Sequence, residues 1–163
     1  MKKIGKILAA NRSEIAIRIF RAAEESGIKT AAIYSKEDRF AIHRFKTDES
    51  YLVGEGKGPI QAYLDIDSII KIAKDAKVDA IHPGYGFLSE SPELAEQCEK
   101  NDITFIGPSK EILKRFGNKT EAKKVAEEAK VGTVPSVLVT KENLKSVETV
   151  SYTHLRAHET VAN

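Results

Sequence analysis

Short apolar segments and longer amphipathic segments alternate along this chain. Apolar residues that run on without polar alternation predict strands covered on both faces. In the longer segments apolar residues recur every three or four positions, which predicts helices with one buried face. Predicted strands span residues 6–10, 29–34, 51–53, 78–81 and 103–106, and predicted helices span 13–26, 65–77, 92–100 and 110–116. The alternation predicts an α/β fold in which an open, mostly parallel sheet carries helices on both faces, as in Rossmann-like domains.

Other segments extend the pattern. Residues 39–45 fit neither period, and the glycine-rich residues 54–59 are predicted to form a flexible loop. Another helix is predicted to begin after Asn118, because an acidic residue three positions later completes the spacing of a capping box. A strand at 136–139 and a helix at 141–147 are predicted to follow it.

Composition narrows the classes of function. The chain has 163 residues, a formal net charge of +2, one cysteine and no tryptophan. Acids and bases are interspersed, so no broad surface for nucleic acid or membranes is expected. A single cysteine forms no internal disulfide, which is typical of a reducing cytoplasm. No apolar run approaches the ~20 residues that span a bilayer, and no signal peptide is recognised, so a cytoplasmic location is expected.

The most informative segment is HPGYGFLSE at residues 82–90, between the fourth predicted strand and the helix that follows it. Ser91 is predicted to be the N-cap of that helix. Ligands of open α/β sheets bind at the carboxyl ends of strands. Gly84 and Gly86 are expected to let a ligand approach the backbone, beside the flat face of Tyr85. An ordinary tight turn explains the same residues equally well.

A second segment, ANRSEIA at residues 10–16, has the same order of strand, polar elbow and helix. Together the two segments resemble the amino-terminal part of the biotin carboxylase family, and the match extends over roughly residues 3–147. The family usually has glycine where this chain has Ser13, which is tolerated if φ is negative there. We expect the two elbows to meet at one edge of the sheet, so that Arg12 and Tyr85 overlook a shared crevice.

The resemblance implies a biotin-dependent carboxylase as the intact protein. ATP would phosphorylate bicarbonate, and the carboxyl group would then pass to biotin on a biotinylated carrier domain. Residues 41–56 and 62–65 look most like the branch of the family that carboxylates pyruvate to oxaloacetate. Two alternatives stay open: a biotin carboxylase subunit of an acetyl-CoA or propionyl-CoA carboxylase, and a non-catalytic α/β binding module.

The resemblance also implies roles for individual residues. Lys119, in a segment that resembles the family's Gly-Asp-Lys motif, is implied to contact ATP. Tyr85 and Gly86 are implied to line the biotin and bicarbonate side. The subunit contact of a homo-oligomer is implied to include Arg18, Arg21 and Glu25. No catalytic residue is expected within this chain, and magnesium is expected to be bound by residues beyond it.

The expected organisation has three parts. Residues 1–117 are expected to form the N-terminal pre-ATP-grasp domain, and residues 118–149 to begin an ATP-grasp domain. Residues 150–163 have neither a helical nor a strand period, and are interpreted as a non-native, disordered tail. His154 and His158 within it are treated as accidental, although their spacing would suit zinc on a helix. On this interpretation the chain is a truncated fragment that is inactive by itself.

Overall fold

The computed structural model describes residues 3–133 of the chain. The chain divides into two compact units, Met1–Gly117 and Asn118–Asn163. The first unit carries the sheet, and the described part of the second carries one helix. Outside the described residues lie the predicted strand at 136–139, the predicted helix at 141–147 and the tail at 150–163. That the second unit begins an ATP-grasp domain stays a prediction.

Five strands, six α-helices and one 3-10 helix occur among residues 3–133. The strands are β1 (Lys6–Ala9), β2 (Lys29–Tyr34), β3 (Glu49–Leu52), β4 (Ala80–His82) and β5 (Thr104–Phe105). The α-helices are α1 (Ser13–Glu25), α2 (Pro59–Tyr63), α3 (Ile66–Asp75), α4 (Pro92–Lys100), α5 (Lys110–Gly117) and α6 (Lys119–Glu128), and the 3-10 helix is Ile42–Phe45. Helix α4 begins as predicted, because the Ser91 hydroxyl accepts a hydrogen bond from the Leu94 backbone N–H at 3.1 Å.

All paired strands of the sheet are parallel, in the order β3-β2-β1-β4-β5. Strand β1 lies at the centre, with Leu8 paired to Ala31 of β2 and to Ile81 of β4. The chain runs outward from β1 through β2 to β3, and then returns to the other side of β1 with β4. The strand order therefore reverses between β1 and β4, which is where open α/β sheets form a ligand-binding crevice.

Alternate residues of the strands enter two separate cores, one on each face of the sheet. Leu8 and Ile33 pack with residues of α3 and α4, including Ile69 and Leu94. On the other face, Phe20 of α1 packs with the remaining buried positions of β1, β2 and β4. Because helices cover both faces, the strands are apolar without alternation. The predicted α/β fold class, with a parallel sheet between helices, is confirmed.

Helix α2 forms where the sequence predicts only a loop. Its five residues are too few to show a helical period, although Pro59 begins the helix at a position where proline is favoured. The helix buries Ala62 and Tyr63. Gly54 is required beside it, because a Cβ there would lie 2.4 Å from the Cα of Ala62. The flexible-loop prediction for residues 54–59 is therefore wrong at its last residue and misses the helix that begins there.

The ends of β3 and β4 also differ from the prediction. Strand β3 begins at Glu49 rather than at residue 51, because it is the last strand in the sheet and tolerates polar, half-exposed residues. Strand β4 ends at His82, one residue later than predicted. The ambiguous residues 39–45 end in the short 3-10 helix. Strand ends are set by pairing with neighbours, which local periodicity does not contain.

Helix α6 of the second unit begins as predicted. The Asn118 side-chain oxygen accepts hydrogen bonds from the backbone N–H groups of Thr120, at 2.9 Å, and Glu121, at 3.3 Å. This cap satisfies two of the donors that a helix start leaves free. Neither α6 nor any other helix within residues 3–133 is long and apolar enough to cross a membrane.

Candidate functional site

The two strand-to-helix elbows meet at the carboxyl edge of β1 and β4, as the sequence predicts. The first elbow contributes Asn11, whose side chain is fully buried. Its Nδ2 donates to the carbonyl oxygens of Pro83, at 2.7 Å, and Tyr85, at 2.9 Å, both in the second elbow. Its Oδ1 accepts from the backbone N–H of Arg12 at 2.9 Å. One side-chain amide therefore uses both donor hydrogens and fixes the backbone of both elbows.

Gly84 is required by the packing between the elbows. Its φ is +68°, and a Cβ there would lie 2.6 Å from Ile15 Cγ2 and 2.7 Å from Asn11 Nδ2. Protein atoms fill the space on the Cβ side of this glycine, and approach of a ligand from its other side stays a prediction. Gly86 has φ +67°, but a Cβ there would meet no atom within 4 Å. A side chain therefore fits at Gly86 but not at Gly84, whose backbone nevertheless lines the concave surface beside Tyr85.

His82, the last residue of β4, supports the second elbow. The backbone N–H of Gly84 donates to His82 Nδ1 at 2.9 Å. An imidazole nitrogen that accepts a hydrogen bond carries a lone pair, so this ring is neutral with its proton on Nε2. Burial lowers the pKa of His82 below its ordinary value of 6.5, which favours the neutral ring near pH 7.

A hydrogen-bonded network joins both elbows to the residues after β2. Asp38 pairs with the Arg12 guanidinium at 2.5 Å and accepts a hydrogen bond from the Tyr63 hydroxyl at 2.8 Å. The Tyr63 oxygen in turn accepts from the Ser35 backbone N–H at 3.3 Å. Burial raises the pKa of Tyr63, and the bond to Asp38 raises it further, so the phenol remains a donor. The Tyr63 ring stacks on Phe87 with centroids 5.2 Å apart, which connects the network to the second elbow.

His43 of the 3-10 helix is fully buried, whereas His82 is half-buried. Its Nε2 lies 3.1 Å from the carbonyl oxygen of Ile33, and its Nδ1 is buried without a hydrogen-bond partner. Burial lowers the pKa of His43, and the bond to Ile33 offsets only part of that effect. The neutral ring with its proton on Nε2 satisfies the carbonyl, so His43 serves the packing of the network.

Tyr85 is presented to solvent, with 73% of its surface exposed. It borders a concave surface of about 460 Å³ whose other lining includes Ile15 and Arg18 of α1 and His82 of β4. Arg12 is not among the residues that line this surface, and the expected crevice between Arg12 and Tyr85 stays a prediction. Asp38 holds the Arg12 guanidinium, and Arg18 takes the place beside Tyr85.

The residues predicted at a subunit contact lie exposed on α1. They are Arg18, Arg21 and Glu25. Arg18 pairs with Glu14 one helical turn earlier, at 2.7 Å. Arg21 lines a separate concave surface of about 420 Å³ together with Phe45. The structure thus places Arg18 beside Tyr85, so the predicted subunit contact and the predicted biotin side adjoin at this residue.

Lys119 is the exposed first residue of α6. It belongs to the second unit, so the first unit gives no information about its surroundings. A cation in the first turn of a helix is disfavoured by roughly 0.3–1 kcal/mol, and an anion bound there would remove that cost. Its contact with ATP stays a prediction.

Ser13 departs from the family pattern in a way that the structure makes specific. Its φ is +53°, so the condition under which serine would be tolerated without strain is not met. The left-handed conformation costs a residue with a Cβ roughly 1–2 kcal/mol. Asn11 holds the backbone on one side and α1 starts on the other, so the turn falls on Ser13. Glycine would make the same turn without strain.

Several residues of the site have no counterpart among the sequence predictions. They are Asn11 as a clamp, and Asp38, His43, Tyr63 and His82. His82 lies two residues before Gly84, so the motif could have predicted that its ring lies close to the second elbow. Asp38 and Tyr63 are 25 residues apart along the chain, and no local pattern brings them together.

Known proteins share this sequence over most of its length. The sequence pattern of the family described as biotin carboxylase, N-terminal domain, matches residues 3–113. Pyruvate carboxylase of Bacillus subtilis is 57% identical over 147 residues, which cover 90% of this chain and 13% of that protein. Biotin carboxylase 2 of the same organism is 50% identical over 143 residues, which cover 88% of this chain and 31% of that protein. The chain therefore spans only a small part of the length of these relatives.

A solved structure shows the same fold. It is the biotin carboxylase domain dimer of Hydrogenobacter thermophilus 2-oxoglutarate carboxylase, in complex with MgADP, ADP and bicarbonate. The TM-score is 0.85 at 38% identity, and the match covers 93% of this chain and 33% of that one. The resemblance predicted from the two elbow motifs is confirmed. Because the matched residues span nearly the whole first unit, and the elbows that carry those motifs meet at the strand-order reversal, the chain belongs to the biotin carboxylase N-terminal domain family.

Proposed function

We propose that this chain forms the amino-terminal part of a biotin-dependent carboxylase most similar to pyruvate carboxylase. The observation that carries the proposal is the 57% identity to the Bacillus subtilis enzyme. In the intact enzyme, ATP would phosphorylate bicarbonate, the carboxyl group would pass to biotin on a carrier domain, and pyruvate would accept it to give oxaloacetate. The 2-oxoglutarate carboxylase domain, solved with MgADP and bicarbonate, supports ATP, magnesium and bicarbonate as ligands.

The second elbow is the proposed biotin and bicarbonate side. The exposed ring of Tyr85 and the open backbone at Gly86 support this assignment, because a planar ligand needs both a flat face and close approach. Asn11 and His82 hold that elbow from within the protein. In this scheme the elbow binds and orients its ligand and takes no part in bond making.

Lys119 is proposed to contact ATP and to supply positive charge to phosphoryl transfer, which is catalysed mainly by positioning and charge neutralisation. Magnesium would be held by residues elsewhere in the intact enzyme. Among residues 3–133, no cluster of three or more His, Cys, Asp and Glu side chains is placed to hold a metal ion.

The proposed partners are a biotinylated carrier domain and a second copy of the enzyme. The exposed arginines Arg18 and Arg21, with Glu25, supply charge of both signs for a self-complementary contact on α1. A cytoplasmic location is part of the proposal. The lone cysteine, Cys98, is a free thiol, which is typical of proteins in a reducing compartment.

A chimera tests the proposal directly. Residues 3–133 of this chain would replace the matching segment of Bacillus subtilis pyruvate carboxylase, and bicarbonate-dependent ATP cleavage and oxaloacetate formation would be measured. We expect both activities to be retained. A folded chimera that binds neither ATP nor biotin would contradict the proposal and favour a non-catalytic binding module. The isolated chain is expected to show no bicarbonate-dependent ATP cleavage.

Paired variants of the chimera separate the two proposed sites. Tyr85→Ala is expected to raise the KM for biotin without changing that for ATP, whereas Phe40→Ala, which truncates an aromatic ring that is 75% exposed, is the control. Lys119→Gln is expected to raise the KM for ATP, with the exposed Lys124→Gln as its control. If a variant and its control had equal effects on KM, the ligand assigned to that residue would be wrong.

A biotin carboxylase subunit of an acetyl-CoA or propionyl-CoA carboxylase is the second candidate. The 50% identity to biotin carboxylase 2 favours it, although less than the identity to pyruvate carboxylase favours the first. Both candidates carboxylate biotin in the same way, so the chimera does not distinguish them. The coding sequence that follows residue 149 would distinguish the two candidates, because a different domain recognises the acceptor.

A further inference from the structure

The second elbow is held by one hydrogen bond that depends on protonation and two that do not. Asn11 donates to the carbonyl oxygens on both sides of Gly84, and an amide does not titrate. The Gly84 N–H between those carbonyls donates to His82 Nδ1 at 2.9 Å. The elbow that carries Tyr85 is therefore held both by an amide that does not titrate and by an imidazole lone pair that does.

Protonation of His82 would reverse the sense of its hydrogen bond. A neutral imidazole accepts at Nδ1, but an imidazolium carries N–H at both nitrogens and presents a donor to the donor of Gly84. The Gly84 N–H would then lose this acceptor, and the elbow would have to rotate. A glycine at φ +68° has the conformational freedom for that rotation.

Few charged groups surround His82. On α1, Glu14 and Arg18 line the same concave surface and pair with each other at 2.7 Å, so their charges largely offset. The strand neighbours are uncharged: β1 offers Ala9 and Ala10, and the chain after β5 offers Ile106. Tyr85 is the remaining titratable group beside the ring.

We propose that His82 is a positioning residue, whose neutral imidazole holds the elbow so that Tyr85 stays at the concave surface beside α1, and whose protonation releases it. The position of Tyr85 would then follow pH. Burial, which lowers the pKa of His82, keeps the elbow in its held form at neutral pH. The geometry of the elbow does not depend on what Tyr85 binds.

A fluorescent reporter tests it in the intact chain. The chain contains no tryptophan, so Tyr85→Trp introduces a single indole at the elbow. Between about pH 8 and pH 5 we expect its emission to change in one transition, with a midpoint below 6.5. Far-ultraviolet circular dichroism over the same range would show that the fold is retained.

Two substitutions of His82 form a matched pair. In His82→Asn, the amide oxygen occupies the place of Nδ1 and accepts without titrating, so the transition should disappear and the neutral-pH emission should persist. In His82→Gln, the amide lies one bond farther out, so the acid-form emission is expected at all pH values. A transition in His82→Asn equal to that of the parent would overturn the proposal, as would no transition in the parent.

Nuclear magnetic resonance of the unsubstituted chain provides a second test. The amide proton of Gly84 and the ring protons of His82 should titrate with one shared midpoint, because they belong to one hydrogen bond. Independent midpoints would overturn the proposal even if every His82 variant failed to fold. In the chimera described above, and only if the proposed function holds, the KM for biotin should rise on acidification in the parent but not in His82→Asn.

Discussion

The two elbows connect neighbouring strands to helices in the same order, yet they are built in opposite ways. The first places its polar side chain inward: Asn11 is fully buried and holds the backbone of the second. The second places its side chain outward: Tyr85 is 73% exposed, between two glycines with positive φ. The first elbow holds the backbone of the second, and the second exposes Tyr85 to solvent. A loop that exposes a side chain to a ligand makes few contacts of its own, so the neighbouring elbow has to fix its position.

The elbows also differ in how they make their turns. The first turns on Ser13 with φ +53°, a strained conformation for a residue with a Cβ. The second turns on Gly84 and Gly86, and then on Phe87 with φ +44°. The stacking of Phe87 on Tyr63 offsets the strain at that residue. Each elbow thus contains one residue with a Cβ in the left-handed region.

The largest effect is expected from Gly84→Ala. The new Cβ would enforce an unfavourable φ and would overlap Ile15 and Asn11, so the free energy of unfolding should fall by roughly 2–5 kcal/mol. Gly86→Ala is the matched control, with nearly the same φ and open space around it, and should cost about 1–2 kcal/mol. Urea titration measures both. Equal losses would show that packing between the elbows is unimportant.

Removal of the clamp ranks second. Asn11→Ala leaves the buried carbonyl of Pro83 and the part-buried carbonyl of Tyr85 without their donor, which should cost roughly 2–4 kcal/mol. Asn101→Ala removes one bond of similar length, to the carbonyl oxygen of Gln97, from a half-buried position and should cost about 1 kcal/mol. Chemical denaturation compares the two. A smaller loss for Asn11→Ala than for Asn101→Ala would contradict the view that the first elbow holds the second.

The buried phenol that supports Phe87 ranks third. Tyr63→Phe keeps the ring stack but removes a donor to Asp38 and an acceptor for Ser35, with an expected loss of about 1.5–3 kcal/mol. Tyr51→Phe is the control, because its hydroxyl bonds Glu49 at a half-exposed position where water can replace it. Thermal unfolding monitored by circular dichroism should show the larger drop for Tyr63→Phe. Matching drops would assign no special role to burial.

The smallest effect is a gain. Ser13→Gly relieves the left-handed strain at the cost of glycine's extra chain entropy, so we expect stabilisation of about 0.5–1 kcal/mol. Ser26→Gly, at φ −91°, has no strain to relieve and should destabilise by a similar amount. Opposite signs in the two urea titrations are the expected outcome. If both variants lost stability, the strain assigned to Ser13 would be absent.

The sequence was sufficient for most elements of the first unit. Apolar runs located all five strands, and Ser91 located the start of α4 because a cap is a local hydrogen bond. Helix α2 escaped, since one helical turn has no measurable period. Only some features of the second elbow could be predicted from the sequence. The motif identified Tyr85 as a residue that could contact a ligand. It did not show that the Asn11 side chain packs against Gly84.

By itself, the sequence determined the α/β alternation, the helix caps and the family, because each depends on residues close together along the chain. Only the tertiary structure decided that β4 inserts beside β1, and the contacts between the two elbows follow from that insertion. Asn11 reaches Tyr85, 74 positions away, once those strands are neighbours. Local patterns do not encode strand order, which is set by the joint burial of two cores on opposite faces of the sheet.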